Sequence, residues 1–557
     1  QNVTGTSNTM IGSAAGRFNT AGSNTALGAG ALAGISTSQD FSGGNVAIGA
    51  TTFTKGIIGG LGRSVAVGYE AGRFATGSYN TFVGFEAGYG GQGSAPFSSG
   101  TYNTAIGYEA LKRFTTGQEN TALGKDALAY VSTGGSNIGI GLGAGGNTTT
   151  ATGNTYIGRS TGYGNQSGIE NVIIGEYSYS HTSGIVNFRN VTTLGSNAGR
   201  YATGSYNTFL GSYAGQGGTT SAPFSSGEKN VAIGYQSFDA FTTGYNNTVL
   251  GYKAGTSVTS GYSNVLIGYE AAEVISTGYE NVVIGANPSQ ANLQQSTLIG
   301  FNAGKEGTAH NVVGIGYRAI GQGTLTTGAN GTVAIGYTAG QDLTSGAGNL
   351  AIGYEAMKVH TTGASNIAIG YGAMNDTNAG SNSLSSVSNI FIGRDAGGGT
   401  WADAASHGNT AIGTYAMDAA LNGALYNTAL GNLALGALTE GDNNVAIGYQ
   451  SGDALTTGGD NTFVGTETGT GATTVNRAVL IGYAAGRGVM TSDAGGAIGI
   501  GQYCLEDLTS GARNVAVGGN AGKQITTAPD NTLVGNQAGM DLTFGKENTL
   551  IVSDDIL

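Results

Sequence analysis

The segment Asn103–Glu119 reads NTAIGYEALKRFTTGQE, and its opening pentapeptide recurs from one end of the chain to the other. The following copies include NTALG at Asn120–Gly124, NTYIG at Asn154–Gly158 and NVIIG at Asn171–Gly175. With the Gly as position zero, Asn stands at −4, Thr or Val at −3, and Ile, Leu or Val at −1. Tyr or Phe is frequent at +1, a small residue stands at +3, an apolar residue recurs at +7, and a T-T-G or S-T-G turn closes the module. About 31 such modules cover residues 1–557, most often 17 residues apart, as from Gly107 to Gly124. Self-similarity at a fixed short period marks a repeat array in which each unit buries its apolar face only by stacking on its neighbours.

Seventeen residues are too few for two helices and suit one coil of a β-solenoid. A Gly every few residues weakens any helix, and the residues at −3 to −1 are β-branched or apolar, as strands prefer. The expected fold is therefore all-β: one continuous parallel β-solenoid or β-roll of about 31 repeats of about 17 residues. At one strand spacing per module it would form a rod of roughly 150 Å. In the T-T-G turns Thr115–Gly117, Thr242–Gly244 and Thr456–Gly458, Gly is expected to supply a positive φ.

The strand is apolar on both faces, which implies burial on both. Positions −3 and −1 are expected to fill the coil. Position −2, Ala in most modules but Phe at Phe82, Phe209, Phe391 and Phe463, would then form an outer apolar stripe. A soluble monomer rarely leaves such a stripe uncovered, so a homotrimer around one axis is expected. The alternative is a monomeric coil with those four Phe inside. The Asn column, with Asn103, Asn120, Asn137, Asn154 and Asn171 as its clearest run, is expected to form a structural ladder of stacked amides.

Composition removes several function classes. Gly numbers 105 and Pro only 4, with no G-X-Y period, so collagen does not fit. Recurring Ile, Val, Leu and Tyr do not fit disorder. The net charge is −12 and no basic run exists, which argues against nucleic acid as a partner. No apolar run approaches the length of a membrane span. Cys504 is the one cysteine, so no intrachain disulfide can form. The chain opens QNVTGTSN, which reads as a processed or trimmed product.

The four histidines, His181, His310, His360 and His407, are widely spread, and no HExxH, CxxC or nucleophile-elbow constellation is present. The expectation is a protein that is not an enzyme and needs no cofactor. The weak metal candidates are Glu70, Glu86, Glu109 and Asp126, which hold position +2 in four successive modules. A column of carboxylates at strand spacing can hold a cation. Basic residues at +5, such as Arg73 and Lys112, instead suggest surface ion pairs. The Tyr column at +1 reads mainly as stacked packing, with a sugar-binding aromatic strip as the lesser possibility.

Four loop insertions break the period, near 89–100, 216–227, 375–389 and 398–408. The first two are near copies, GQGSAPFSSG and GTTSAPFSSG, and their surroundings match 127 residues apart, as a duplication of about seven modules would produce. Loops on a rigid scaffold commonly carry binding, so Phe97, Phe224 and Trp401 are the candidate receptor contacts.

Modules such as NVAIGYQSFDAFTTGYNNTVLG, Asn230–Gly251, resemble the repeat region of bacteriophage tail-fibre proteins, particularly those of marine phages and cyanophages with NTAIGYxAL…TTG arrays. More distantly they resemble the head repeats of trimeric autotransporter adhesins. The resemblance covers essentially the whole chain and carries over no functional residue. It implies a homotrimeric, extracellular structural fibre on a virion surface. Its implied partners are further copies of itself, other virion or appendage proteins, and a host surface receptor or glycan. Neither nucleic acid nor membrane insertion is implied. A bacterial cell-surface adhesin or extracellular filament is the alternative, and a polysaccharide-degrading β-helix the third reading.

Overall fold

The computed structural model describes residues 5–34, 41–54, 61–91, 97–180, 186–218, 225–287, 293–304, 307–321, 324–377 and 382–552. Each module contributes one three-residue strand at positions −3 to −1, and 31 such strands run from Thr9–Ile11 to Thr549–Ile551. Within each of the chain's two units, consecutive strands pair in parallel with like positions opposite, so that Thr104, Ala105 and Ile106 face Thr121, Ala122 and Leu123. The chain falls into two compact units, Gln1–Glu280 and Asn281–Leu557. Each is a β-solenoid, the first with the strands up to Val265–Ile267 and the second with those from Val282–Ile284 onward. Among the described residues, helix is limited to three single 3₁₀ turns, Thr327–Ala329, Ser383–Ser385 and Ser492–Ala494. Among the described residues, no helix is long and apolar enough to cross a membrane.

Hydrogen bonds join rungs around the coil and not only along the strand. Between the rungs of Gly107 and Gly124, the Gly124 N–H donates to the Ile106 carbonyl at 2.8 Å, Asp126 to Tyr108 at 2.9 Å, Leu111 to Ala127 at 2.9 Å and Thr115 to Ser132 at 2.9 Å. The Thr115 hydroxyl donates to the Ser132 carbonyl as well, at 3.0 Å, and Ser132 and Thr149 repeat the bond one rung further each time. Gly at position zero is required on two counts. Gly107 has φ +139°, and a Cβ there would lie 2.4 Å from the Gly124 carbonyl oxygen. The turn glycine is needed for a different reason from the one expected. Gly117 has no positive φ, but a Cβ on it would lie 2.4 Å from the Gly134 carbonyl oxygen, so close approach of the next rung excludes a side chain. Positive φ is taken instead at positions −5 and +2 by ordinary residues, as in Glu119 (60°), Glu109 (56°) and Asp126 (57°).

The orientation of the strand is the reverse of the expected one. Position −2 points into the coil, and Ala105, Phe82, Phe209, Phe391 and Phe463 are completely buried. Positions −3 and −1 face outward and stay partly exposed, Leu123 to 44%. The reason is room. A three-residue strand turns one side chain inward, and that side chain shares a narrow interior with Asn at −4, the small residue at +3, position +4 and the apolar residue at +7. Ala110, Leu111 and Phe114 in one rung are all fully buried. Leaving both branched side chains of a rung outside costs less than crowding the two into that space.

Position +4, which the repeat pattern hides, compensates the volume at −2. Where −2 is Phe, +4 is Gly: a Cβ on Gly88 would lie 2.3 Å from the Phe82 ring, and Gly215 and Gly397 stand likewise against Phe209 and Phe391. Where −2 is Ala, +4 is large and buried in most modules, as in Ala105 with Leu111, Ala232 with Phe238 and Ala411 with Met417, and is Gly where a bulky side chain of an adjacent rung takes the space, as at Gly72 beside Phe82 and Gly452 beside Phe463. The interior therefore stays close-packed.

Asn at −4 lines the same interior. Asn137 donates from Nδ2 to the Asn120 Oδ1 at 3.0 Å and to the Ala151 carbonyl at 2.8 Å, and its own N–H donates to Asn120 Oδ1 at 3.1 Å. Its Oδ1 accepts the same pair of bonds from Asn154. The run Asn103, Asn120, Asn137, Asn154 and Asn171 is continuous in this pattern, and all five side chains are buried.

Candidate functional site

Because like positions stack, every outward side chain belongs to a column, and functional groups arise where columns change character. The carboxylate column at +2 is neutralised by basic residues at +5 and, at Asp126, by Lys125 at +1. Arg73 pairs with Glu70 in its own rung. The Lys112 ammonium lies 2.8 Å from Glu86 and 3.0 Å from Glu109, bridging two rungs, and Lys125 lies 2.9 Å from Asp126. Burial works against the charge of Lys112, but hydrogen bonds to Glu86 and Glu109 outweigh it and hold the ammonium above its usual pKa. Burial likewise pushes the Glu109 carboxyl upward, and Lys112 and the Tyr108 hydroxyl together bring it below its usual value. The space between Glu86 and Glu109 that a cation would take holds an ammonium.

The +1 column forms aromatic ladders. In the second unit Phe301, Tyr317, Tyr337, Tyr354 and Tyr371 stack with centroids 5.6, 5.1, 5.0 and 5.0 Å apart and planes within 8°. The Arg394 guanidinium lies beyond Tyr371 at 5.9 Å and reaches Tyr415 at 5.5 Å. In the first unit Tyr69, Phe85 and Tyr108 stack in the same way, with the Lys125 ammonium 5.6 Å from Tyr108. A sugar packs its C–H face on a free aromatic face. Here the ring faces are turned toward the next rung, and the edges and hydroxyls face outward.

One rung interrupts these columns. Gly143 at +2 and Gly146 at +5 carry no side chain, and the preceding rung has only Ala129 at +5. The result is a notch of about 380 Å³. One end is lined by Glu109, Lys112, Arg113, Lys125 and Asp126, and the other by Ser160 and Tyr163. Tyr130 and Leu142, both well exposed, form its sides, and the Arg113 guanidinium stacks 4.4 Å from the Tyr130 ring. A Cβ on Gly146 would stand 3.2 Å from the Tyr163 ring, so glycine there lets that ring lie across the rung. The sequence reading passed over the notch. Its only signal was two glycines at positions that elsewhere carry Glu and Lys.

The candidate receptor contacts fare differently. Trp401 is not a surface group: it is fully buried, its Nε1–H donates to the Gly397 carbonyl at 2.9 Å, and its ring meets Phe391 edge-on at 5.7 Å. The irregular stretch 398–408 carries it inward, where its ring packs against Phe391. Phe97 is half-buried, and Phe224 lies outside the described residues. The two copied insertions close alike. Ser98 pairs with Ala75, and Ser225 with Ala202, in isolated parallel bridges. The Ser98 hydroxyl accepts from Gly91 N–H and the Ser225 hydroxyl from Gly218 N–H, both at 2.9 Å.

Two further groups escaped the repeat pattern. His360 occupies the apolar +7 column, fully buried, with Nε2 3.2 Å from Asn366 Nδ2 and Nδ1 3.3 Å from the Thr377 hydroxyl. Burial lowers its pKa to about 4. Cys504 is buried too, and burial raises its thiol to about 12. Comparison of the chain with protein-family models and with curated proteins finds no match.

Proposed function

We propose that this chain is a non-enzymatic structural fibre segment of a virion exterior, a tail-fibre shaft that displays an attachment surface. The observation that carries the reading is the bonding of rung to rung within each unit through strand and turn, reinforced over most rungs by the buried Asn column. A stack built this way spends its sequence on rigidity and repetition. Its outward columns present the same chemistry rung after rung, which suits display and adhesion.

The fibre works as a homotrimer in this reading; the four Phe lie inside the coil, as the monomeric alternative had it, so the face the trimer buries is the outward one of positions −3 and −1. Ile106, Leu123, Leu194, Leu210 and Leu250 all stand more than a third exposed in one copy, and aliphatic stripes of that kind seek cover. A native mass near three times the 55.3 kDa of one chain is expected. A stable monomer at micromolar concentration would count against the trimer.

Antibodies raised against the segment 103–171 and carried on gold, viewed by electron microscopy of the source material, test the fibre reading. Label along an appendage of virus particles is expected. Label on bacterial surfaces would favour the cell-surface adhesin or filament instead, and label confined to the cell interior would refute both. Within the fibre reading, Phe97→Ala combined with Phe224→Ala tests whether the copied insertions touch the host receptor. Both variants spare Ser98 and Ser225, and weaker attachment by an intact stack is the expected result.

A further inference from the structure

We propose that the notch at Gly143 and Gly146 is a binding site for a neutral saccharide. This goes beyond the fibre reading and does not depend on it, because the case rests on the lining alone.

The volume, about 380 Å³, falls within the range of small-molecule sites. It comes from the loss of side chains at +2 and +5 of one rung, together with the small Ala129 at +5 of the rung before. The lining excludes most ligand classes in turn. A cation would meet Lys112, Arg113 and Lys125. A strongly anionic group would meet Glu109 and Asp126. An apolar ligand would strip water from five charged groups without replacing their hydrogen bonds, which is costly.

A ligand dense in neutral hydroxyls suits all of them together. Each hydroxyl both donates and accepts, so a vicinal pair can give a proton to Asp126 and accept one from Lys125, whose charged atoms lie 2.9 Å apart. Glu109 and Lys112, 3.0 Å apart, offer the same pairing one rung away. Hydrogen bonds to charged partners are the stronger kind, and these partners already hold one another in place. Tyr130 and Tyr163 add ring surface for the C–H face of a sugar. Unlike the rings of the aromatic ladders, neither is stacked between like rings of neighbouring rungs. Arg113 lies over one face of Tyr130 and fixes its orientation.

Two substitutions probe the site without disturbing the coil. Gly143 has φ +62°, and a Cβ there would meet only the Ser160 hydroxyl at 3.9 Å. Asn tolerates that backbone conformation, so Gly143→Asn fills the notch. Asp126→Asn keeps shape at φ 57° and removes one acceptor charge. The wild-type chain is applied to a printed array of neutral, sulfated and uronic-acid-bearing oligosaccharides, and the tightest neutral binder is then titrated by calorimetry. Saturable binding by a neutral oligosaccharide is expected, weakened by about ten-fold or more in each variant, as loss of a charged hydrogen bond or of the space would cause. The thermal midpoint should stay at the wild-type value in both. Three results would overturn the proposal: no array member binds, only the sulfated or acidic members bind, or Gly143→Asn binds as tightly as wild type.

Discussion

The rungs from Asn103 to Asn171 and those from Asn281 to Asn349 are built from the same module, yet their buried polar columns differ. In the first stretch every −4 position is Asn, and each amide accepts two hydrogen bonds from the amide one rung on. In the second, the column reads Asn281, Ser296, Val312, Thr332 and Asn349. Ser296 N–H still donates to Asn281 Oδ1 at 3.1 Å, and Val312 N–H to the Ser296 hydroxyl at 3.2 Å. Val312, however, has no polar side-chain atom to offer the next rung. Strand pairing continues regardless, with Thr297 opposite Val313 and Val313 opposite Val333. The coil therefore propagates through its backbone bonds and apolar packing, and the amide column adds stability to a geometry already set.

The largest effect should come from breaking the intact column. Asn137→Ala removes the acceptor of the Asn154 N–H and the donor to the Ala151 carbonyl, both buried. At 1–3 kcal/mol for each buried group left unpaired, about 4 kcal/mol of local stability should go. The readout is faster hydrogen exchange at the Asn154 amide together with a lower thermal midpoint. An unchanged exchange rate would show that the column contributes nothing beyond the backbone bonds.

A smaller effect comes from acid. His360 touches the column through Asn366, and its pKa of about 4 lies below the usual 6.5. The fold holds the neutral imidazole, so this contribution is complete above about pH 6.5 and is lost as pH falls toward 4, on the order of 3 kcal/mol in all. Asp418 acts in the opposite sense. Burial and the neighbouring Asp395 raise its pKa to about 6, so its share is lost as pH rises through that value. Comparing wild type with His360→Leu between pH 7.5 and pH 4.5 isolates the imidazole. The variant, which restores the apolar residue found at Leu343 and Leu455, should lose less stability on acidification.

The smallest effect is a gain. Ser296→Asn would extend the column below Asn281, and a typical net hydrogen-bond contribution of about 1 kcal/mol should raise the midpoint and slow exchange at the Val312 amide. A loss instead would mean that the second stretch cannot seat an amide at that rung.

Much of this molecule was legible as text. The recurrence of Asn, a β-branched residue, an aliphatic residue and Gly announced one strand per module and parallel stacking, because only stacked identical rungs give every copy the same neighbours. The duplication of the GQGSAPFSSG insertion announced that its copy would close the same way, as Ser98 and Ser225 do. The notch was barely visible, since missing side chains leave no motif. Trp401 misled because an aromatic in an irregular segment looks like surface decoration. Its seat against Phe391 exists only once the coil has closed.

By itself, then, the sequence determined the class of fold, the spacing of its rungs and the residues that form the amide column, all of which follow from period and residue type. The tertiary structure alone decided which face of each strand turns inward. An alternation of Thr, Ala and Ile is apolar on both sides, so local pattern carries no sign. The choice is made by volume, in the fit of Phe82 over Gly88 and of Leu111 beside Ala105 within a coil too narrow for two branched side chains.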